Sequence, residues 1–201
     1  MIVAIVPAAG LSRRMGRPKL ILPLADGRTV LGTVLNALRD GGVDRLVIVT
    51  PPKENPITLE LEREGSASGA LIVVPEVQPP DMRDSVEQAL SELKRLEIRP
   101  ATILICPADS PGISSRLVSM VIARAKSHPQ AIVIPSFLAK RGHPIALPYS
   151  IAETIPDLPK GVGVNTLVKQ HAGAVIELVV DESGAVLDLD TPEDYRRWVA
   201  R

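Results

Sequence analysis

Apolar positions along the chain fall into two rhythms. Short unbroken runs rich in Val, Ile and Leu alternate with longer stretches in which apolar residues recur every three or four positions. The runs at 2–6, 45–49, 70–74, 102–106 and 131–134 predict strands buried on both faces. The stretches at 30–39, 57–64, 84–96 and 116–125 predict helices. Gly41-Gly42 stands where the first helix needs a C-cap. Asp84-Ser85-Val86-Glu87 has the chemistry of a capping box, and Ser114 or Ser115 can cap the fourth helix. The last third is less regular. It predicts strands at 143–147 and 174–180, a helix at 164–171 and a turn at 181–184. Thr191-Pro192-Glu193-Asp194 then opens a final helix, with Thr at the N-cap, Pro at the first helical position and acids in the first turn.

Strands alternating with amphipathic helices imply βαβ units, hence an α/β fold with a mainly parallel sheet covered on both faces. In such folds ligands bind beyond the carboxyl ends of the strands. Attention therefore falls on the loops after Val6 and Cys106. The 201 residues suit one domain over 1–201, and no repeat or low-complexity segment divides them. The 19 prolines sit mostly at element boundaries.

Composition narrows the chemistry. Lys and Arg number 23 against 23 Asp and Glu, which argues against sequence-blind nucleic-acid binding. Aromatics are 2%, so base stacking on aromatic platforms is disfavoured and the core must be aliphatic. A lone cysteine, Cys106, excludes an internal disulfide and a cysteine-rich zinc site. The N-terminal apolar run precedes its cations, the reverse of a secretory signal, and no run reaches membrane-spanning length. A cytoplasmic protein is the expectation.

Four segments carry candidate chemistry. The first runs from Pro7 to Lys19: small residues Ala8-Ala9-Gly10, then Arg13, Arg14, Arg17 and Lys19, with no acid before Asp26. Small residues let a backbone approach a ligand closely and turn its N–H groups toward phosphate. Arg14 and Lys19 can neutralise a triphosphate. It is not a Walker A loop, because no Gly-Lys-Ser/Thr occurs. The second is Asp109 in Cys106-Pro107-Ala108-Asp109-Ser110-Pro111. A carboxylate there suits Mg²⁺, and it equally suits a turn. The third is Asp188-Leu189-Asp190, whose two carboxylates share one face of an extended segment. The fourth is the basic turn Lys140-Arg141-Gly142-His143-Pro144, suited to an anionic second substrate. Cys106 lies in a buried strand, and no nucleophile elbow, zinc-protease motif or dinucleotide fingerprint is present.

Ala8-Ala9-Gly10, Ser12, Arg14-Met15-Gly16, Pro18-Lys19 and Leu22-Pro23-Leu24 together resemble the signature of the MobA-like nucleotidyltransferases, closest to the molybdenum cofactor cytidylyltransferases. Asp109-Ser110-Pro111, Arg141-Gly142-His143-Pro144 and 188–195 resemble the later motifs in order. The resemblance implies a Rossmann-like nucleotidyltransferase fold, with a mixed but mainly parallel sheet. It implies Mg²⁺-dependent transfer of NMP from an NTP to a phosphorylated acceptor, with molybdopterin or molybdenum cofactor foremost and pyrophosphate released. Ala8, Ala9, Gly10, Arg14, Lys19 and Ser85 are then the nucleotide-binding residues. Asp109 and Asp190 hold the metal, Arg14, Lys19 and Asp109 carry catalysis, and Arg141 and His143 meet the acceptor. Ala-Ala-Gly, in place of a Gly-Gly pair, leans toward CTP over GTP. An enzyme that receives the finished cofactor is implied as partner. The chain departs from the family pattern at Ala108, usually Gly, at 81–85, where only Ser85 fits, and at 161–165 around Val162. Two alternatives stand beside this reading: another phosphorylated acceptor, such as a phospho-sugar or phospholactate-like compound, and a non-catalytic nucleotide-binding protein that keeps the fold.

Overall fold

A computed structural model describes residues 1–159 and 161–200. Strand β1 (Ile2–Pro7) is an interior strand, almost wholly buried. It pairs in parallel with β2 (Arg45–Val49) on one side and with β4 (Thr102–Ile105) on the other. Beyond β2 lies β3 (Leu71–Val73), also parallel. Beyond β4 the sheet turns mixed. Strand β7 (Ile145–Pro148) runs antiparallel to both β4 and β5 (Ile132–Phe137). The edge is completed by β6 (Lys140–Arg141), antiparallel to β5, and β8 (Val175–Val179), parallel to it. The eight strands follow the order β3-β2-β1-β4-β7-β5-β6, with β8 on β5.

Unbroken apolar strands send alternate side chains to opposite faces, and each face here has its own core. From β1, Ile2, Ala4 and Val6 enter one core and Val3 and Ile5 the other. Helices α1 (Val30–Asp40), α2 (Thr58–Ala67) and α4 (Ser115–Ser127) cover the first face through Leu31, Leu35, Leu61, Leu117 and Val121. Helices α3 (Met82–Arg95), α5 (Tyr149–Ala152) and α6 (Val164–Gln170) cover the second through Val86, Leu90, Ala152 and Leu167. The expected α/β architecture with helices on both faces is what the chain adopts. Each fully buried Leu or Ile adds about 1.5–3 kcal/mol relative to exposure. An aliphatic core thus suffices without aromatics.

Several boundaries differ from the sequence expectation. Helix α3 begins earlier: Asp81 is its N-cap and accepts a hydrogen bond from the Asp84 N–H, so Asp84 sits inside the first turn and is not the cap. Strand β7 starts at Ile145 and not at His143, because the N–H groups of Gly142 and His143 donate instead to Pro135 and Ala185 carbonyls. Strand β5 continues through Pro135 to Phe137 and turns into β6, a hairpin whose tip, Leu138 and Ala139, has positive φ. The segment expected as a turn at 181–184 becomes a 3₁₀ turn at Ser183–Val186. Helix α7 (Pro192–Val199) has the expected Thr191 N-cap, Pro192 and first-turn acids, and Asp194 adds a reciprocal capping box with Thr191. No described helix is long and apolar enough to cross a membrane.

Candidate functional site

The two loops singled out from the sequence lie side by side at the carboxyl edge of the parallel strands. Pro7, Ala9, Gly10, Ser12 and Arg13 form one wall of a cleft of about 440 Å³, which Pro107 and Asp109 also line. The opposite wall is the entry to α3: Gln78, Pro79, Pro80, Asp81, Met82 and Ser85. Ala8 is fully buried beneath the loop, and its N–H donates to the Val49 carbonyl at 2.8 Å.

The basic turn is shaped by its own residues. Ser12 takes a positive φ, and its carbonyl accepts from the N–H groups of Met15 and Gly16. Gly16 has φ +70°, a conformation L side chains rarely adopt. The Ser12 Oγ accepts from the Lys19 N–H at 3.2 Å, closing the turn from inside. Met15 and Leu20 drive into the first core as anchors. Arg13, Arg14 and Arg17 are thereby left on the outside, while Lys19 turns inward and is only 8% exposed.

Lys19 ends between two carboxylates. Its Nζ lies 2.5 Å from Asp109 and 2.9 Å from Asp190. Arg14 adds a second ion pair to Asp190 at 2.9 Å. Burial on its own would lower the Lys19 pKa, but Asp109 and Asp190 outweigh it and hold the ammonium above its ordinary value. Asp188 points to the same side, and its carboxylate accepts from the Ser110 hydroxyl at 2.7 Å. The intervening Leu189 is fully buried, as alternation requires. The Leu189 N–H donates to the Asp109 carbonyl at 2.8 Å, so the two acidic segments are zipped together.

The acid arm is held by close backbone packing. A Cβ at Gly184 would fall 1.9 Å from the Gly112 carbonyl oxygen, and one at Gly142 would fall 2.0 Å from the Ala185 carbonyl oxygen. Only glycine permits approaches this near. Arg116 pairs with Asp181 and Glu182 at 3.0 Å each and supports the arm from α4.

The remaining predicted residues are placed less centrally. Ser85 is buried and lines the cleft, whereas Arg141 does not line it. Arg141 is exposed on β6 and paired with Glu177 of β8 at 2.6 Å. His143 is half-buried, and its Nδ1 is shielded from solvent with no hydrogen-bond partner among the described residues. Burial holds its pKa below the ordinary histidine value, against the pull of Asp188 and Asp109. Cys106 is fully buried, and burial pushes its thiol well above the usual range, which makes it inert.

One residue of the cleft and one that supports its α3 wall carry no sequence signal. Gln78 donates from Nε2 to the Ala9 carbonyl at 2.7 Å and so latches the small-residue loop to the α3 wall. Arg83 is buried, donates to the carbonyls of Ile155, Pro156 and Leu158, and ties the 155–158 segment to α3. A lone Gln between Val77 and Pro79 carries no local pattern that distinguishes it from a loop residue.

The donor set around Lys19 is all oxygen, from two carboxylates. That fits a hard divalent cation that also takes water and phosphate oxygens, as Mg²⁺ does. Among the described residues no group of three or more His, Cys, Asp and Glu forms a complete protein cage for a metal. Substrate oxygens would have to complete the shell.

The MobA-like NTP transferase domain matches residues 4–175. The chain belongs to that family. Membership sets its coarse activity as a nucleotidyltransferase acting on a nucleoside triphosphate. Among relatives of the family type, the purine catabolism protein PucB of Bacillus subtilis is 28% identical, over 96% of this chain and 94% of its own. The crystal structure of Rv0371c from Mycobacterium tuberculosis is 28% identical with a TM-score of 0.80, covering 100% of this chain and 98% of that one. Rv0371c has also been solved in complex with manganese, at 27% identity and a TM-score of 0.78, over 99% of this chain and 98% of that one. A nucleotidyl transferase from Methanothermobacter shares the fold, with a TM-score of 0.80 at 22% identity over 100% of this chain and 96% of its own.

Proposed function

We propose that this chain transfers NMP from an NTP, CTP before GTP, to a phosphorylated small-molecule acceptor, with molybdopterin or molybdenum cofactor first among them, and releases pyrophosphate. One observation carries the reading. The Lys19 ammonium of a cationic turn near the start of the chain meets two acids, 90 and 171 residues further on, and one of them, Asp109, lines a cleft that the small residues Ala9, Gly10 and Ser12 also line. Such a junction has the parts that phosphoryl-type transfer asks of a protein: positioning and charge neutralisation.

In this reading the backbone of Ala9 and Gly10 and the Ser85 side chain seat the nucleotide, over Ala8. Lys19 and Arg14 bind phosphate oxygens and offset the charge that develops as pyrophosphate leaves. A phosphate oxygen of the acceptor attacks the α-phosphorus in line. That nucleophile is ionised at neutral pH, so the transfer requires no general base. Asp109 and Asp190 would hold the divalent cation, Mg²⁺ in our reading, which when bound polarises the α-phosphate. The manganese complex of Rv0371c supports a divalent cation in this role. Arg141 and His143 remain the proposed contacts to the acceptor, reached from the β6 side of the sheet. A cytoplasmic location and a cofactor-receiving partner enzyme belong to the same proposal, and PucB's name directs the search for that partner to purine catabolism.

Pyrophosphate release, assayed with CTP, GTP, ATP and UTP against a panel of phosphorylated acceptors, tests the proposal. Lys19→Ala should slow turnover about 100–1000-fold with the fold intact. Asp109→Ala should abolish the cation-dependent activity. Wild-type rates in both variants would refute the assignment. Nucleotide binding by calorimetry without pyrophosphate release, whatever the acceptor, would favour the non-catalytic reading.

A further inference from the structure

We propose that Lys19 is an internal stand-in for the divalent cation, so that cation and nucleotide enter the site together and the free chain holds no cation on Asp109 and Asp190. This deepens the proposed function and rests on it for the identity of the ligands. The observation is the doubly bridged ammonium: one Nζ within 2.9 Å of both carboxylates, on a side chain 10% exposed. Arg14 on Asp190 completes a cluster of two positive and two negative groups. The cluster is self-neutralised, with the Lys19 ammonium its shielded member and Arg14 its exposed one.

A divalent cation arriving alone would have to expel a buried ammonium from both its partners and leave it with none. The Coulomb cost of stranding a charge in a shielded place is high. A triphosphate changes the balance. Its oxygens offer Lys19 and Arg14 new anionic partners a short swing away, which frees the two carboxylates. The cation then gains carboxylate and phosphate oxygens at once. The two ligands therefore raise each other's affinity, and by linkage the coupling is the same in both directions. The construction of the turn favours this exchange. The Lys19 backbone is fixed by Ser12 and by the Leu20 anchor beside it, whereas the ammonium is the far end of a flexible four-carbon stem.

The test is a titration of the full chain with Mn²⁺ alone, read by the electron paramagnetic resonance signal of unbound Mn²⁺. Lys19→Met should bind Mn²⁺ at least about tenfold more tightly than the wild type. The double variant Lys19→Met with Asp109→Asn should lose that gain, which identifies the site. In the wild type, calorimetry with a non-hydrolysable methylene analogue of CTP should show tighter nucleotide binding when Mn²⁺ is present. Equal Mn²⁺ affinity in wild type and Lys19→Met overturns the proposal. So does tight Mn²⁺ binding to the free wild type that Asp109→Asn or Asp190→Asn abolishes, a result that needs no lysine variant to fold. Lys19→Gln replaces Lys19→Met if circular dichroism shows the latter unfolded. None of these readouts uses turnover. A chain that releases no pyrophosphate would defeat the proposed function and leave this coupling standing, and the reverse holds as well.

Discussion

The basic turn and the acid arm meet at one ammonium, yet they are held by opposite means. The turn proper, from Ser12 to Leu20, is fixed largely by side chains of its own: Met15 and Leu20 in the core, Ser12 bonding back to Lys19. The arm, from Asp181 to Thr191, is fixed by partners distant in the chain: Gly112 against Gly184, Gly142 against Ala185, and Asp109 bonded to Leu189. The turn is anchored by buried apolar volume, whereas the arm adds to its own buried Ala185 and Leu189 two seats that admit no volume at all. The first kind of support should fail gradually when a side chain is shortened. The second should fail sharply when one atom is added.

Substitutions can separate the two modes. The largest expected loss of stability is from Met15→Ala, which empties a core position beneath the turn and should cost about 2–5 kcal/mol. Thermal or denaturant unfolding measures this, and nucleotide affinity should fall with it while the acid arm stays docked. Gly184→Ala comes next, at about 1–3 kcal/mol, because overpacking against backbone forces the arm away. Its signature should be functional: turnover and cation dependence should suffer by at least about tenfold while nucleotide binding survives. If Met15→Ala and Gly184→Ala impair nucleotide and cation binding in the same proportion, the distinction between the two modes is wrong. The smallest effect concerns His143, behind the arm. Burial holds its pKa below the ordinary value, so the native state favours neutral imidazole. The sign follows by linkage: its contribution is complete above the unfolded-state pKa and is lost as pH falls through the folded-state value. Melting temperature should therefore drop more steeply between pH 7 and pH 5 in the wild type than in His143→Gln. Parallel curves would show that His143 does not contribute.

The same contrast explains what could be read before the structure. The turn announces itself, since its small residues, cations and anchors are consecutive in the sequence. Strands β1, β2 and β4 are similarly plain, as each is an unbroken apolar run with punctuation at its ends. Asp109 is legible as a carboxylate just past a buried strand, and Asp190 as one of two carboxylates sharing a face of an extended segment. That Lys19 would lie between them is not, because its 90- and 171-residue separations from the two acids are closed only by the sheet. The glycines that seat the arm were equally silent, for a close backbone approach leaves no trace in periodicity. Gln78 and Arg83 act through carbonyl groups, which every residue has. Strand β5 extends through Pro135, a residue that normally argues against a strand interior, so the sequence pattern ends the strand at Ile134 and hides the β5–β6 hairpin.

The Gly112–Gly184 contact has a practical sequel. A Cβ at Gly112 would also lie 3.2 Å from Cη2 of Trp198, the single tryptophan of the chain. Its indole thus rests beside the place where the two glycines touch. Intrinsic fluorescence excited at the indole band is then a built-in optical gauge of whether that seam is shut, usable on the unlabelled protein in real time.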